Sequence, residues 1–434
     1  MLYLLILILF IEYCFGLLIF KEDIGTPSLI VCAAMMFSVL IGIIGNNLYW
    51  QTDIHPNTVY IIGISIFFII MGDRLSANKF YKRSSHLVDN ESVFKIEKWK
   101  MVLIILGGII TIILQYINLY QNTGSGNLSD ILFQYRLLYN AGELEYEQSG
   151  ILSLMCSLTT WTAYISLFIC IHNSLKTKKV KKNLVYLIPV LIFCLNGLLN
   201  GARGNIVDIF LAGIFYYYFV YEDIHNWKRK YNFKLIIRTL FIAGGGLVFF
   251  VGLGGLIGRK QSGVMEEISV YAGAESILFD RAINDSKFYH YKFGRATFDN
   301  IYMFVHNRLN VKIQSVDILH QYRMENGHFL GNVYSAILPW YIDFGIIGVV
   351  VLSLIFGMIF SYVYRKISAC KSSSFYISGI IIYGYFVNSL FLFIFNDRFY
   401  SKIGPSLIKE FFLFYILKKF FFNVHINNRK LIIT

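Results

Sequence analysis

Apolar runs near the roughly 20 residues that a helix needs to cross a bilayer recur along almost the whole chain. About eleven such runs are legible, over residues 2–20, 28–44, 59–71, 101–119, 151–171, 184–199, 206–221, 235–257, 344–364, 375–395 and 408–422. Composition agrees, because 56% of the residues are hydrophobic and 15% charged, against about 25% charged in soluble domains. So much apolar surface exceeds what one core can bury. The expected fold is therefore all-α, a polytopic membrane helix bundle.

The formal charge of +13 does not point to nucleic acid, because the Lys and Arg residues sit in short loops between apolar runs and form no basic face. They set orientation instead. Loop 73–100 carries seven Lys or Arg and loop 173–183 carries five, whereas loop 46–57 has none and segment 120–150 has only Arg136. Positive-rich loops stay cytoplasmic, so the poor ones face outside together with the N-terminus. Lys228, Arg229, Lys230, Arg365, Lys366 and the basic C-terminal tail continue the alternation.

Three regions follow: membrane helices over 1–258, a large extracytoplasmic loop over 259–341, and further helices with the tail over 342–434. The first twenty residues lack a basic leader and a small-residue cleavage site, so they read as a retained helix. Segment 120–150 contains Ser129 as an N-cap ahead of an amphipathic run over 131–139. The large loop has balanced charge and many aromatics, which predicts that it folds against the bundle. Glycines from Gly244 to Gly255 permit close helix approach or an irregular segment in the eighth span.

Several polar residues bear on function. Arg203 stands in the turn Asn200-Gly201-Ala202-Arg203-Gly204-Asn205 at the outer end of a span. Its planar fork suits phosphate oxygens, although an interfacial Arg often only snorkels. Asp208, inside the next span, is either a functional acid or a partner for Arg203. Arg281, Arg295, His306, Arg308, His320, Arg323 and His328 gather in the large loop, with Asn332 and Tyr334 close by in the chain. Singly these are ordinary loop residues; together they suit an anionic ligand, which needs several cations because one exposed pair contributes little. Trp340 and Tyr341 fit an interfacial aromatic belt. Asp343 opens the following apolar run, and Arg398 beside Asp397 ends the next one. Neither a nucleotide loop nor a metal-ligand pattern is present, so no cofactor and no metal are expected.

Three segments in this order resemble the Wzy-type oligosaccharide repeat-unit polymerases of O-antigen and capsule assembly. They are Gly201-Ala202-Arg203-Gly204 opening a span, Phe293-Gly294-Arg295-Ala296-Thr297-Phe298 in the large loop, and Tyr341-Ile342-Asp343-Phe344-Gly345-Ile346-Ile347-Gly348 entering the next helix. An Arg followed eleven positions later by Gly, a spacing described for some members, is absent from both outer loops. The resemblance implies a GT-C membrane glycosyltransferase in the bacterial cytoplasmic (inner) membrane. Its substrate would be an undecaprenyl-pyrophosphate-linked oligosaccharide, its partners the bilayer, a chain-length regulator and a flippase. In that scheme His328, Asp343 or Asp208 serves as general base. Arg203, Arg281, Arg295, Arg308, Asn332, Tyr334 and Arg398 bind substrate. A lipid-linked oligosaccharide flippase or an O-antigen ligase is the alternative.

Overall fold

Helices account for nearly every apolar run. The computed structural model describes the chain except residues 21–22, 24, 78–92, 125, 142–148, 201–202, 226–251, 253–262, 286–293, 310, 312–315, 317–320, 370–373, 423, 428–429 and 434. Among the described residues, eight helices are long and apolar enough to cross a membrane. They are α1 (Leu2–Ile19), α2 (Pro27–Trp50, its last turn a π-helix), α3 (Pro56–Ala77), α4 (Lys98–Thr123), α6 (Gly150–Thr177), α7 (Val180–Leu199), α8 (Gly204–Ile224) and α12 (Ile337–Ala369). The chain is a multi-pass membrane protein. A shorter apolar helix, α13, spans Phe375–Phe391, and α14 (Pro405–Phe421) occupies the last expected span. The expected span over 235–257 with its glycine run, and also Phe293 and His320, lie outside the described residues. Local chemistry sets the helix starts: Pro27 occupies the first turn of α2, and the Ser149 hydroxyl caps α6 by accepting from the Leu152 amide at 3.2 Å.

The helices divide into two units interleaved along the chain. Unit 1 draws on Met1–Ser85, Ser262–Cys370 and Phe386–Ile408, so the large-loop residues belong with α1, α2, α3 and α12. Its spine is the pair α3 and α12, which run parallel. Ser65 and Ser353 share a hydrogen bond of 2.8 Å, the Ser361 hydroxyl donates to the Asp73 carbonyl, and Arg365 pairs with the Asp73 carboxylate at 3.2 Å. Ser353, Gly357 and Ser361 are spaced by four, and this stripe of small residues lets the two backbones approach. A Cβ on Gly357 would overlap the Ile69 carbonyl oxygen, and one on Gly72 the Leu354 carbonyl oxygen. Asp73 is fully buried and also accepts from the Ser28 amide and hydroxyl at the head of α2. At the opposite end of the unit, the Met1 ammonium meets Asp53 at 3.1 Å, beside the large-loop elements.

Helix α12 corrects two expectations. It begins at Ile337, seven residues before the expected entry at Phe344, and is interrupted at Gly345, whose φ of 60° and ψ of −153° suit glycine alone. Trp340 is not in an interfacial belt: it is fully buried, and its indole donates to Asp397 at 2.7 Å.

Unit 2 draws on His86–Gln261, Lys371–Tyr385 and Lys409–Thr434. Helices α4, α6, α7 and α8 pack around Trp161, Tyr164, Phe168 and Tyr216, all buried. The amphipathic helix α5 spans Leu128–Ala141, so Ser129 lies inside its first turn and does not cap it. Its apolar face, Ile131, Leu132 and Tyr135, covers Leu119 of α4 and Leu198 and Leu199 of α7. The all-α expectation holds apart from two small antiparallel hairpins, β1 (Arg323–Glu325) with β2 (His328–Gly331), and β3 (Val424–Asn427) with β4 (Lys430–Ile433).

Candidate functional site

The large loop builds its structure on the end of unit 1 that carries Met1 and Asp53. Helix α9 (Val264–Ala272) lies on α2 where Gly42 and Gly273 bring two backbones together, and α10 (Glu275–Ile283) packs on α2 and α3. A third helix, α11 (Asp299–Leu309), follows. Between β1 and β2 the chain turns through Asn326 and Gly327, with φ of 48° and 80°. Two positive φ values at Asn-Gly make the tight turn whose twist matches paired strands. His328 is thus the first residue of β2, opposite Glu325.

Asp280 organises this end. Fully buried on α10, it accepts from the His55 amide at 2.7 Å, the Thr58 hydroxyl at 2.6 Å and Arg281 at 2.8 Å. His55 Nδ1 lies 3.0 Å from its Oδ2. A carboxylate can only accept, so Nδ1 is the donor of this contact. With 57% of the His55 side chain exposed, the imidazole faces outward at the head of α3. The dyad joins residues 225 positions apart.

Arg281 is closed off by protein groups: its fork grips both Glu325 oxygens at 2.9 and 3.1 Å, and it donates to Thr52 and to the Asp53 carbonyl. Hydrogen bonding to Arg281 holds the Glu325 carboxyl below its ordinary range. The clamp is therefore present above that range and is lost as pH falls through the lowered value. Arg281→Ala leaves Asp280 buried without its cation, and the expected cost is about 2 kcal/mol, below that of a wholly buried pair because Arg281 is partly exposed. Thermal unfolding in detergent checks this; Arg281→Lys should recover only part of the loss, since Lys lacks the fork.

Arg323 is likewise engaged, with Asp285 at 2.7 Å and the Tyr334 hydroxyl at 3.1 Å, and Tyr334 donates onward to the Gln321 carbonyl. Asn332 is half-buried. His328 approaches Glu266 at only 3.5 Å and rests against the Tyr49 ring. Arg308 and His306 are exposed on α11. Arg398 donates to the Asn396 side chain at 2.9 Å.

Asp343 makes the most telling contact. Its Oδ2 accepts from the Ala296 and Thr297 amides at 3.0 and 2.7 Å, and the Thr297 hydroxyl donates to the Pro339 carbonyl at 3.2 Å. Residues 294–298 are thereby seated on the first turns of α12 just ahead of its break at Gly345. Gly294, at φ 78°, is pressed by Phe298 and Phe344. Arg295 projects from this turn, pairs with Asp299 at 2.6 Å and lies over the Tyr302 ring. Two segments singled out in the sequence thus become one structure, in which the Asp343 carboxylate faces backbone amides.

In unit 2, Arg203 is buried at the N-cap of α8, and Asp208 is half-buried within that helix. Asp208 and Glu410 both lie within electrostatic reach of Tyr385. Glu410 accepts from the Ser157 hydroxyl at 2.6 Å and the Trp161 indole at 2.8 Å. Nearby in the same unit, Gln115 of α4 donates to Asn200, and Asn196 of α7 donates to the Cys156 sulfur at 3.3 Å.

Sequence reading missed His55, Asp280, Glu410 and the amides. Asn326-Gly327 signals the hairpin, and Glu410 stands out as an acid in an apolar run, but nothing local links His55 to Asp280. No family model, curated protein or solved structure matches this chain.

Proposed function

We propose that this protein is a GT-C-type membrane glycosyltransferase that lengthens a surface polysaccharide, O-antigen or capsule, from undecaprenyl-pyrophosphate-linked repeat units at the outer face of the bacterial cytoplasmic membrane. The observation that carries the reading is the seating of residues 294–298 on the head of α12 by Asp343. Two of the three segments that prompted the resemblance are then one assembly at a membrane helix entry.

The reaction requires an acceptor hydroxyl to attack the anomeric carbon of the donor sugar as the bond to the diphosphate oxygen breaks. The electron pair leaves with the diphosphate, and the hydroxyl proton needs a base. His55 suits that task better than His328 or Asp343, because Asp280 fixes Nδ1 as a donor and the side chain stays exposed. Asp343, facing amides, positions Arg295 instead. His328, with Asn332, borders the exposed side of the hairpin and orients the acceptor. In unit 2, Arg203 and the N-terminus of α8 form a candidate diphosphate-binding group of their own. Arg281 and Arg323 are each tied to a carboxylate far along the chain, whereas Arg295 pairs with the half-exposed Asp299 four residues on, so Arg295, Arg308 and Arg398 are the loop cations assigned to substrate. The expected partners, a chain-length regulator and a flippase, would act before and alongside this step.

The test is chain growth from purified lipid-linked repeat units in liposomes. Wild type should give a ladder of products, and His55→Gln should lower turnover by about 10²-fold or more with KM held. Repeat units that remain single with wild type would sink the polymerase reading, whether they merely change leaflet or pass to another acceptor. An unchanged rate in His55→Gln would remove the base assignment alone.

A further inference from the structure

We infer that the amide stripe between α4 and α7 in unit 2 binds hydroxyl groups of a neutral sugar carried on a polyprenyl lipid. The inference deepens the proposed function and rests on it for the identity of the ligand's lipid.

Gln115, Asn118 and Asn122 recur at intervals of three and four along α4, so they share one helix face; Asn196 of α7 and Asn200, at its C-cap, lie four apart. The two helices pack against each other, with Ile192 pressed onto Gly108. Gln115 is fully buried, and Asn196 is 4% exposed. Amides inside a membrane bundle are costly unless each end is satisfied. Most of this set is. Gln115 donates to Asn200, Asn118 accepts from the Tyr135 hydroxyl at 2.9 Å, and Asn122 donates to the Asn118 carbonyl.

Asn196 is the exception. Its Nδ2 holds the Cys156 sulfur, a weak partner, while its Oδ1 is buried and has none. On the facing side, the Asn205 side chain presses against Gly197, which brings an amide of a third helix to the stripe. An unpartnered carbonyl oxygen demands a donor. Phosphate oxygens have none to give at neutral pH, and a bare cation would find too few free oxygens here. A hydroxyl donates to such an oxygen and accepts from a neighbouring amide, and adjacent hydroxyls on a sugar ring do both at fixed spacing. Arg203 follows Asn200 by three residues in the chain, and the proposed function gives it the diphosphate that adjoins the first sugar.

The experiment compares binding of farnesyl diphosphate with farnesyl diphosphate carrying one N-acetylglucosamine, galactose or N-acetylgalactosamine, using the full chain in detergent and no turnover. Wild type should bind at least one sugar-bearing lipid about tenfold more tightly than the bare diphosphate. Asn196→Leu should erase that preference and leave bare diphosphate binding as it was. Its Tm should be unchanged or raised, because replacing an unsatisfied amide with an apolar side chain of similar size relieves a penalty. A fall in Tm with the preference intact would make Asn196 structural and overturn the inference, as would equal binding of all four lipids by wild type. Should Asn196→Leu not be recovered, Gln115→Leu is read by the sugar preference alone, and a preference kept in full would overturn the inference. Sugar preference without chain growth in liposomes would uphold this site while failing the polymerase reading.

Discussion

Asp343→Ala should cut chain growth by at least about 10²-fold while the helices remain inserted and the protein is made at normal levels. In the proposed function the carboxylate moves no proton; it holds the Ala296 and Thr297 amides at 3.0 and 2.7 Å. Each charge-assisted bond of this kind contributes about 1.5–3 kcal/mol, and its removal leaves two amides without an acceptor at a buried junction. Residues 294–298 would lift from α12, and Arg295 would move with them. Asp343→Asn should fall between wild type and Ala, since its carbonyl oxygen can still accept from both amides but without the negative charge. A cysteine placed at Arg295 would report the movement by faster labelling with a membrane-impermeant thiol reagent in the Asp343→Ala background. Normal product ladders from Asp343→Ala would show that the seating of this turn has no part in activity.

Gly357→Leu should have the largest effect on stability. Its Cβ would overlap the Ile69 carbonyl oxygen, a backbone atom that cannot rotate away, so α3 and α12 would have to separate. Overpacking a close crossing costs about 1–3 kcal/mol, and the separation would also strain Ser65–Ser353 and Asp73–Arg365. A fall in Tm in detergent of several degrees or more is expected. Gly107→Leu is the control, because the space beside Gly107 on α4 is open. If both variants melt together with wild type, the close packing of α3 on α12 is not what holds unit 1.

Most of the fold is legible along the chain because membrane insertion acts on local composition. A bilayer selects for apolar length, so the expected runs at 2–20, 151–171 and 206–221 return as α1, α6 and α8 with ends moved by a few residues. The ends move for a reason that hydropathy omits. Helix α6 continues to Thr177 because polar residues extend a helix beyond the hydrocarbon, and α12 starts at Ile337 because Trp340 is buried against Asp397 and not at the lipid surface.

The candidate site divides differently. Arg203, Asp343 and the loop histidines stand out as polar groups beside apolar runs, and that much depends on residue type and position alone. What each of them touches is decided by partners far away in the chain. Arg281 is identical in kind to Arg308 when read in sequence, yet one is gripped by Glu325, 44 residues on, and the other is exposed. His55 lies in a loop without any motif, and only the packing of α10 on α3 sets Asp280 against its Nδ1. The sequence by itself determined that this chain crosses a membrane many times, because the free energy of inserting a helix depends on its own residues. Tertiary structure alone decided which polar groups are clamped and which are left to face a ligand, because a charge or an amide is satisfied by whatever the fold brings within 3 Å or so of it.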